Sequence, residues 1–392
     1  MPVEAFADPG RATAGFGLYV HWPFCLKKCP YCDFNSHVRE GVDHARWRAA
    51  LLAELEHVAG RFDHAPLDSI FFGGGTPSLM APETAGAVIE RAVDLFGARP
   101  GLEITLEANP TSIERDKFAA FRVAGVNRVS VGVQALNDAD LQFLGRQHSA
   151  AEARAALDVA FATFERVSFD LIYARPGQGL KAWQAELGEA LALGAHHLSL
   201  YQLTIEPGTE FGKRAALGQL PLADADGAAD LFEWTQEHME ALGFGAYETS
   251  NHACGLDDRS RHNLVYWRMG AYAGIGPGAH GRLWADGVRL GTETERVPER
   301  WLEAVETRGS GLKDAEPVDV QAHAEEVLMM GLRLTEGVPL PRLEALAPGL
   351  IDPRALEDLE AGGFVVRQNE RLCATRAGRP VLNEILRRLL AH

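Results

Sequence analysis

The chain has 392 residues, 46% of them hydrophobic, with a formal net charge of −16, so it can bury a large core divided among roughly two or three domains. The acidic balance gives no global attraction to nucleic acid or anionic lipid, and no nucleic-acid partner is expected. No stretch approaches the apolar length of a membrane span and the opening residues lack a secretory signal's basic start and apolar core, while five cysteines, three of them crowded, fit a reducing compartment and place the protein in the cytoplasm.

From residue 17 to about 210, short β-rich runs each precede a helical stretch. Gly17-Leu18-Tyr19-Val20-His21 is the first run. Directly after it, Cys25-Leu26-Lys27-Lys28-Cys29-Pro30-Tyr31-Cys32 sets three cysteines at C-x3-C-x2-C spacing. Three soft thiolates on one short loop point to a metal or iron–sulfur site. A [4Fe–4S] cube held by three cysteines keeps one iron open, and an open position on a metal is where chemistry happens. A zinc knuckle completed by His21 or His37, a redox dithiol at Cys29 and Cys32, and buried structural thiols are the alternatives that the cysteines by themselves leave open.

Asp43 then caps a helix whose Leu51, Leu55, Val58 and Phe62 recur at helical spacing. Strand-like runs follow at 69–72, 102–107, 126–133, 167–172 and 197–203. Six strands alternating with helices imply parallel pairing through right-handed crossovers, in an open sheet or a barrel. Polar residues and glycines recur at the C-terminal ends of the runs, where parallel α/β folds build their sites: the cysteine loop, Gly73-Gly74-Gly75, Glu107, Gln134, Asp170 and Tyr201-Gln202. The glycine run leaves its strand with no side chain over the backbone, so a small ligand can approach closely, although such runs also mark ordinary turns. Glu107, ahead of Ala108-Asn109-Pro110, can grip ribose hydroxyls or cap the next helix, and Gln134, Arg146 and Asp170 stand in comparable places.

Farther on, the stretch from Tyr247 to Gly281 has glycine-rich loop character. Within it, His262-Asn263-Leu264-Val265-Tyr266-Trp267 sets an imidazole beside two aromatic rings, suited to iron and a porphyrin plane or to a turn packed on the core. A polar stretch from about 305 to 318 reads as a linker. Beyond it come helical segments around Ala322 to Leu334, Pro341 to Leu346 and Pro353 to Leu359. A hairpin then pairs 364–367 with 371–374, and a last helix carries Val381, Leu382, Ile385 and Leu389. This looks like a winged-helix module whose few arginines favour packing or partner docking over DNA. Cys254 and Cys373 are isolated and read as buried thiols.

The flanks of the cysteine loop, Tyr19-Val20-His21-Trp22-Pro23-Phe24 and Asp33-Phe34-Asn35-Ser36, make it resemble the radical S-adenosylmethionine (SAM) superfamily. The resemblance implies a partial (β/α)6 barrel, a cluster on Cys25, Cys29 and Cys32, and SAM on the open iron. It carries SAM contacts over to Tyr19, Tyr31, Gly74, Gly75, Thr76, Glu107, Gln134, Arg146 and Asp170. The segments Phe71-Phe72-Gly73-Gly74-Gly75-Thr76-Pro77-Ser78, Glu107-Ala108-Asn109-Pro110, Ser130-Val131-Gly132-Val133-Gln134 and Ser199-Leu200-Tyr201-Gln202-Leu203 resemble the group that contains the oxygen-independent coproporphyrinogen III oxidases.

Two departures separate the chain from those oxidases. Phe34 stands where they carry a further cysteine, and about sixteen residues precede Gly17 where they carry a longer covering segment. Both match the haem-chaperone (HemW) branch, whose H-N-x-x-Y-W haem-binding motif His262, Asn263, Tyr266 and Trp267 resemble. The expected organisation is α/β throughout: a short N-terminal tail at 1–16, the barrel at 17–245, an extension with the haem motif at 246–304, and a winged-helix-like domain at 319–392. The expected function is a haem chaperone carrying a [4Fe–4S] cluster, SAM and haem, which delivers haem to a haem-requiring acceptor protein. Any peripheral membrane contact would come through that acceptor. The alternative is the oxidase itself, in which the reduced cluster cleaves SAM to a 5′-deoxyadenosyl radical for oxidative decarboxylation of coproporphyrinogen III.

Overall fold

The computed structural model describes residues 4–221 and 225–390. Its centre is six parallel strands in sequence order, Phe16–Trp22, Leu67–Gly74, Ala98–Ala108, Arg128–Gln134, Arg166–Tyr173 and His197–Gln202. Each run expected from the sequence is one of these strands. Helices between them pack on one face: Asp43 accepts from the Arg46 N–H at 3.1 Å to start helix His44–Arg61, which buries Trp47, Leu51, Leu55 and Val58.

The strands alternate in a way that parallel sheets covered on both faces usually do not. Leu18, Val20, Ile70, Phe72, Ile104, Leu106, Val129, Val131, Phe169, Leu171, Leu198 and Leu200 join the helices in one apolar core. Removing such side chains from water contributes about 1.5–3 kcal/mol each before entropy is counted. The residues between them, Ser69, Glu103, Thr105, Arg128, Ser130, Ser168, His197 and Ser199, are buried and polar. They line the inside of the curled sheet, where Arg128 donates to Thr105 (3.3 Å) and Ser168 (2.9 Å) and Arg166 donates to Glu103 (2.6 Å). The fold is therefore the partial α/β barrel expected, with a polar lumen.

The glycine-rich extension is part of the same sheet. Strand Ala271–Ile275 pairs parallel to the first strand, and Gly276 and Gly278, both at positive φ, turn the chain into His280–Ala285. Val288–Thr294 and Leu312–Val318 continue it antiparallel, and with Asn251–Ala253 and Gly245–Ala246 added beyond His197–Gln202 at the other edge this sheet has twelve strands among the described residues. The stretch expected as a linker is thus the end of helix Pro298–Arg308, a left-handed Gly309, and an edge strand. An edge strand with one face in water is polar for the same reason a linker is, and composition does not separate the two.

Helices Val320–Gly331, Leu340–Leu346 and Pro353–Ala361, the hairpin Val365–Gln368 with Arg371–Ala374, and helix Leu382–Leu389 form a second unit with its own core. Asn369 and Glu370, both at positive φ, make the two-residue turn. The N-terminal residues run across to this unit. Asp8 accepts from Arg342 at 2.9 and 2.6 Å and lies 3.0 Å from His323 Nε2, and Phe6 packs edge-on against Trp284. Cys373 is buried as expected, whereas Cys254, just beyond the short strand Asn251–Ala253, is exposed. Among the described residues no helix is long and apolar enough to cross a membrane.

Candidate functional site

The site lies at the C-terminal ends of the barrel strands. Cys25, Cys29 and Cys32, all free thiols, line one cavity together with Tyr31, Gly74, Gly75, Thr76, Glu107, Gln134, Arg146 and Asp170. Eight of the nine residues expected to contact SAM are therefore in one place. Tyr19, the ninth, lines a neighbouring cavity instead, with its hydroxyl 3.0 Å from His21 Nδ1. The two cavities share Phe34, Gly74 and Glu107.

Polar contacts tie the cysteine loop to the strand ends. Thr76 Oγ1 donates to Cys25 Sγ at 3.3 Å and accepts from Asn109 Nδ2 at 3.1 Å. Asn109 Oδ1 accepts from Arg146 Nη2 at 2.5 Å, and Arg146 Nη1 donates to Cys29 Sγ at 3.5 Å and to Tyr31 at 3.4 Å. Two of the three thiols are thereby joined through a continuous chain. Asn109 is the member that sequence reasoning missed; an amide just past a strand end and before Pro110 was the available signal.

The three thiols line the cavity without converging on one point: among the described residues no group of three or more His, Cys, Asp or Glu is placed to hold a single metal ion. A cluster whose irons take one thiolate each needs no such convergence. The donor set, three thiols beside a guanidinium and a hydroxyl, fits that group. The cavity also holds an unmet polar atom, since Gln134 sits at positive φ and its buried Oε1 has no partner among the described residues. Burial, and then the charge of Asp170, push the Glu107 carboxyl up to about 8, and burial pushes Asp170 up to about 6 against hydrogen bonds from Ser199 and Ser130. Two carboxyls held this way suit a ligand that brings hydroxyls or positive charge.

The glycine run is needed by the protein itself. A Cβ on Gly75 would stand 2.8 Å from the Phe24 carbonyl oxygen, and one on Gly74 would meet the His21 ring. Gly75 N–H donates to Trp22 O at 2.7 Å and Thr76 N–H to Phe24 O at 2.9 Å, so this turn clamps the start of the cysteine loop. Gly74 N–H is left to Glu107, at 3.3 Å.

The four residues of the expected haem motif do not form one surface. Helix Arg261–Trp267 begins on the Glu103 carboxylate, which accepts from the N–H groups of Arg261 and His262, both at 3.1 Å. Burial would raise that carboxyl, but Arg128 and Arg166 hold it below its ordinary range. The expectation of an imidazole offered to iron meets a His262 ring that is 1% exposed, with Nδ1 2.8 Å from Ser69 Oγ and Nε2 2.8 Å from the Tyr266 hydroxyl. Burial holds it down to about 3, so it is neutral. Tyr266 lines the cavity that contains Tyr19. Trp267 lines a different cavity near the C-terminal unit, with Arg333 over its ring at 5.7 Å, and Asn263 is one turn before it on the helix.

The chain matches the Radical SAM superfamily over residues 19–187 and the HemN C-terminal domain over residues 318–381. The mouse protein named radical S-adenosyl methionine domain-containing protein 1, mitochondrial, is 39% identical over 394 residues, spanning 98% of this chain and 89% of that one. Proteins named heme chaperone HemW from Escherichia coli and Mycobacterium tuberculosis are 37% and 36% identical, spanning 96% and 99% of this chain and 98% of each relative. Among solved structures, the radical SAM enzyme coproporphyrinogen III oxidase (HemN) from Escherichia coli superposes with a TM-score of 0.79 over 96% of this chain and 90% of that one, at 22% identity, which shows a shared fold. By fold and by near-full-length likeness, the chain belongs to the HemW family of the radical SAM superfamily.

Proposed function

We propose that the protein is a radical-SAM-type haem chaperone: Cys25, Cys29 and Cys32 hold a [4Fe–4S] cluster, SAM occupies the cavity beside it, and haem is carried for delivery to a haem-requiring acceptor protein. The observation that carries this reading is the sharing of Phe34, Gly74 and Glu107 between the cysteine cavity and a second cavity lined by Tyr266. Relatives bearing the name heme chaperone over nearly the whole chain support it. When bound, cluster and SAM together supply one-electron chemistry.

Within this reading Gly74 to Thr76, Glu107 and Asp170 receive the amine and ribose of SAM, Gln134 turns its unmet amide oxygen to the ligand, and Arg146 and Tyr31 brace the loop. Of the haem motif, Tyr266 is the member at the wall of the second cavity, with His262 holding its phenol; Trp267 lines the cavity toward the C-terminal unit, where an acceptor would dock. The reduced thiols suit the cytoplasm or another reducing compartment, such as the mitochondrial one in the names of some relatives.

The test is anaerobic reconstitution with iron and sulfide, followed on one preparation by haem titration, transfer to an apo-haemoprotein, and an assay with coproporphyrinogen III. About four irons per chain, a Soret shift and activation of the acceptor are expected. Robust conversion of coproporphyrinogen III to protoporphyrinogen IX would restore the oxidase reading.

A further inference from the structure

The cavity that adjoins the cysteine site holds about 570 Å³, within the range of cofactor pockets. Tyr266 and Tyr272 form one of its walls, their ring centroids 4.4 Å apart and nearly edge to face. Two histidines, His21 and His280, line it, and His262 stands behind Tyr266. His262 is bonded at both nitrogens, and His21 is 5% exposed with Nδ1 on the Tyr19 hydroxyl and Nε2 2.9 Å from the Asn35 carbonyl oxygen.

His280 differs from both. It is exposed, it lines the cavity, and its ring has no hydrogen-bond or ion-pair partner among the described residues. Its backbone is fixed, because it opens strand His280–Ala285 and its carbonyl packs so closely on Gly274 that a Cβ there would lie 2.1 Å away. A free imidazole on a held backbone is the form a metal ligand takes. Arg296 stands exposed on the same rim with its guanidinium unpaired among the described residues, while its carbonyl is held by Asn35 Nδ2 at 2.9 Å. Of the two acidic members of the wall, Glu293 has Lys313 3.5 Å away and Glu107 accepts from the Gly74 N–H at 3.3 Å on the side shared with the cysteine cavity.

We propose that this cavity is the haem seat, with His280 supplying the imidazole to the iron, Tyr266 and Tyr272 flanking the macrocycle, and Arg296 pairing with a propionate. The assignment rests on the haem-chaperone reading above. His262 then acts through Tyr266, as a positioning residue, and its imidazole does not meet the iron.

The experiment is titration of ferric haem into the reconstituted full-length chain, followed by the Soret maximum and low-temperature EPR. His280→Gly should weaken haem roughly tenfold and remove the imidazole-ligated signature, and added free imidazole should restore that signature. Arg296→Gln should weaken haem while leaving the binding of haem dimethyl ester unchanged. In His262→Gln the imidazole-ligated signature should persist. An unchanged spectrum and affinity in His280→Gly, a loss that imidazole does not restore, or loss of the signature in a folded His262→Gln overturns the assignment. If the unaltered chain takes up no stoichiometric haem, the chaperone reading fails with it; haem bound without dependence on His280 overturns the seat alone.

Discussion

Arg146 is the side chain on which the cysteine loop and the strand ends both depend. It donates to Cys29, Tyr31, Asn109 and the Gly132 carbonyl, so its charge stays where a thiolate would form. In the proposed cluster a cation beside one thiolate favours the reduced, more negative state. Arg146→Met should therefore lower the cluster's midpoint potential, by on the order of 60 mV or about 1.4 kcal/mol for one electron, as read by EPR-monitored potentiometry. An unmoved potential would separate Arg146 from the cluster. Gly75→Val tests the neighbouring turn: with a Cβ 2.8 Å from the Phe24 carbonyl oxygen, it should lower the iron content on reconstitution as well as SAM affinity. Full iron content with lost SAM binding would mean that the loop yields without moving Cys25.

At the scale of elements, helix Arg261–Trp267 is a plug whose histidine is neutral and doubly bonded. His262 is held down to about 3 from 6.5 by burial, so its contribution to stability is complete above 6.5 and is lost as pH falls toward 3. His262→Gln should cost about 1–3 kcal/mol near pH 7.5 by leaving a buried partner unmet, and the gap to the parent should narrow by pH 5 in calorimetry. A gap independent of pH would remove the titration argument. The six barrel strands and the cavity they end in were legible in the sequence because apolar runs bounded by glycine, proline and polar residues mark strands in any context. Less legible was the extension, since Gly270 to His280 obeys turn statistics and strand geometry at once, and 305–318 has an edge strand's polarity. The polar lumen was written in the alternation of Ser130, Ser168 and Asp170 with Val131 and Phe169, a period of two that marks a lined interior. What no local pattern carried was which face of the short helix His262 would take; that follows from Glu103, 159 residues earlier in the chain.

Across the whole molecule, the barrel and the C-terminal unit are joined directly by the Arg268–Glu336 and Arg282–Glu326 pairs and, through a buried charge cluster, by the N-terminal residues. Asp8 is 1% exposed at its side chain, and Arg342 and His323, from two different helices of the C-terminal unit, both point at it. Arg342 reaches back to the carbonyls of Arg268 and Met269 at the end of the Arg261–Trp267 helix, so one guanidinium spans three parts of the chain. Burial would raise the Asp8 carboxyl, but hydrogen bonds from His323 and Arg342 hold it well below its ordinary range. Its stabilising contribution is therefore present above about 3.8 and disappears as pH falls below that value. Removing one partner of a buried pair leaves the other charge uncompensated and costs about 3–5 kcal/mol. Asp8→Ala should lower the thermal midpoint at pH 7. In amide hydrogen exchange it should speed residues 320–346 and the opening segment together, while strands Arg128–Gln134 and Arg166–Tyr173 keep their protection. Equal acceleration in those strands would mean that barrel and C-terminal unit unfold as one body, and no acceleration anywhere would mean that the Phe6 contacts with Trp284 and His323 and the Arg268–Glu336 and Arg282–Glu326 pairs hold the junction without Asp8.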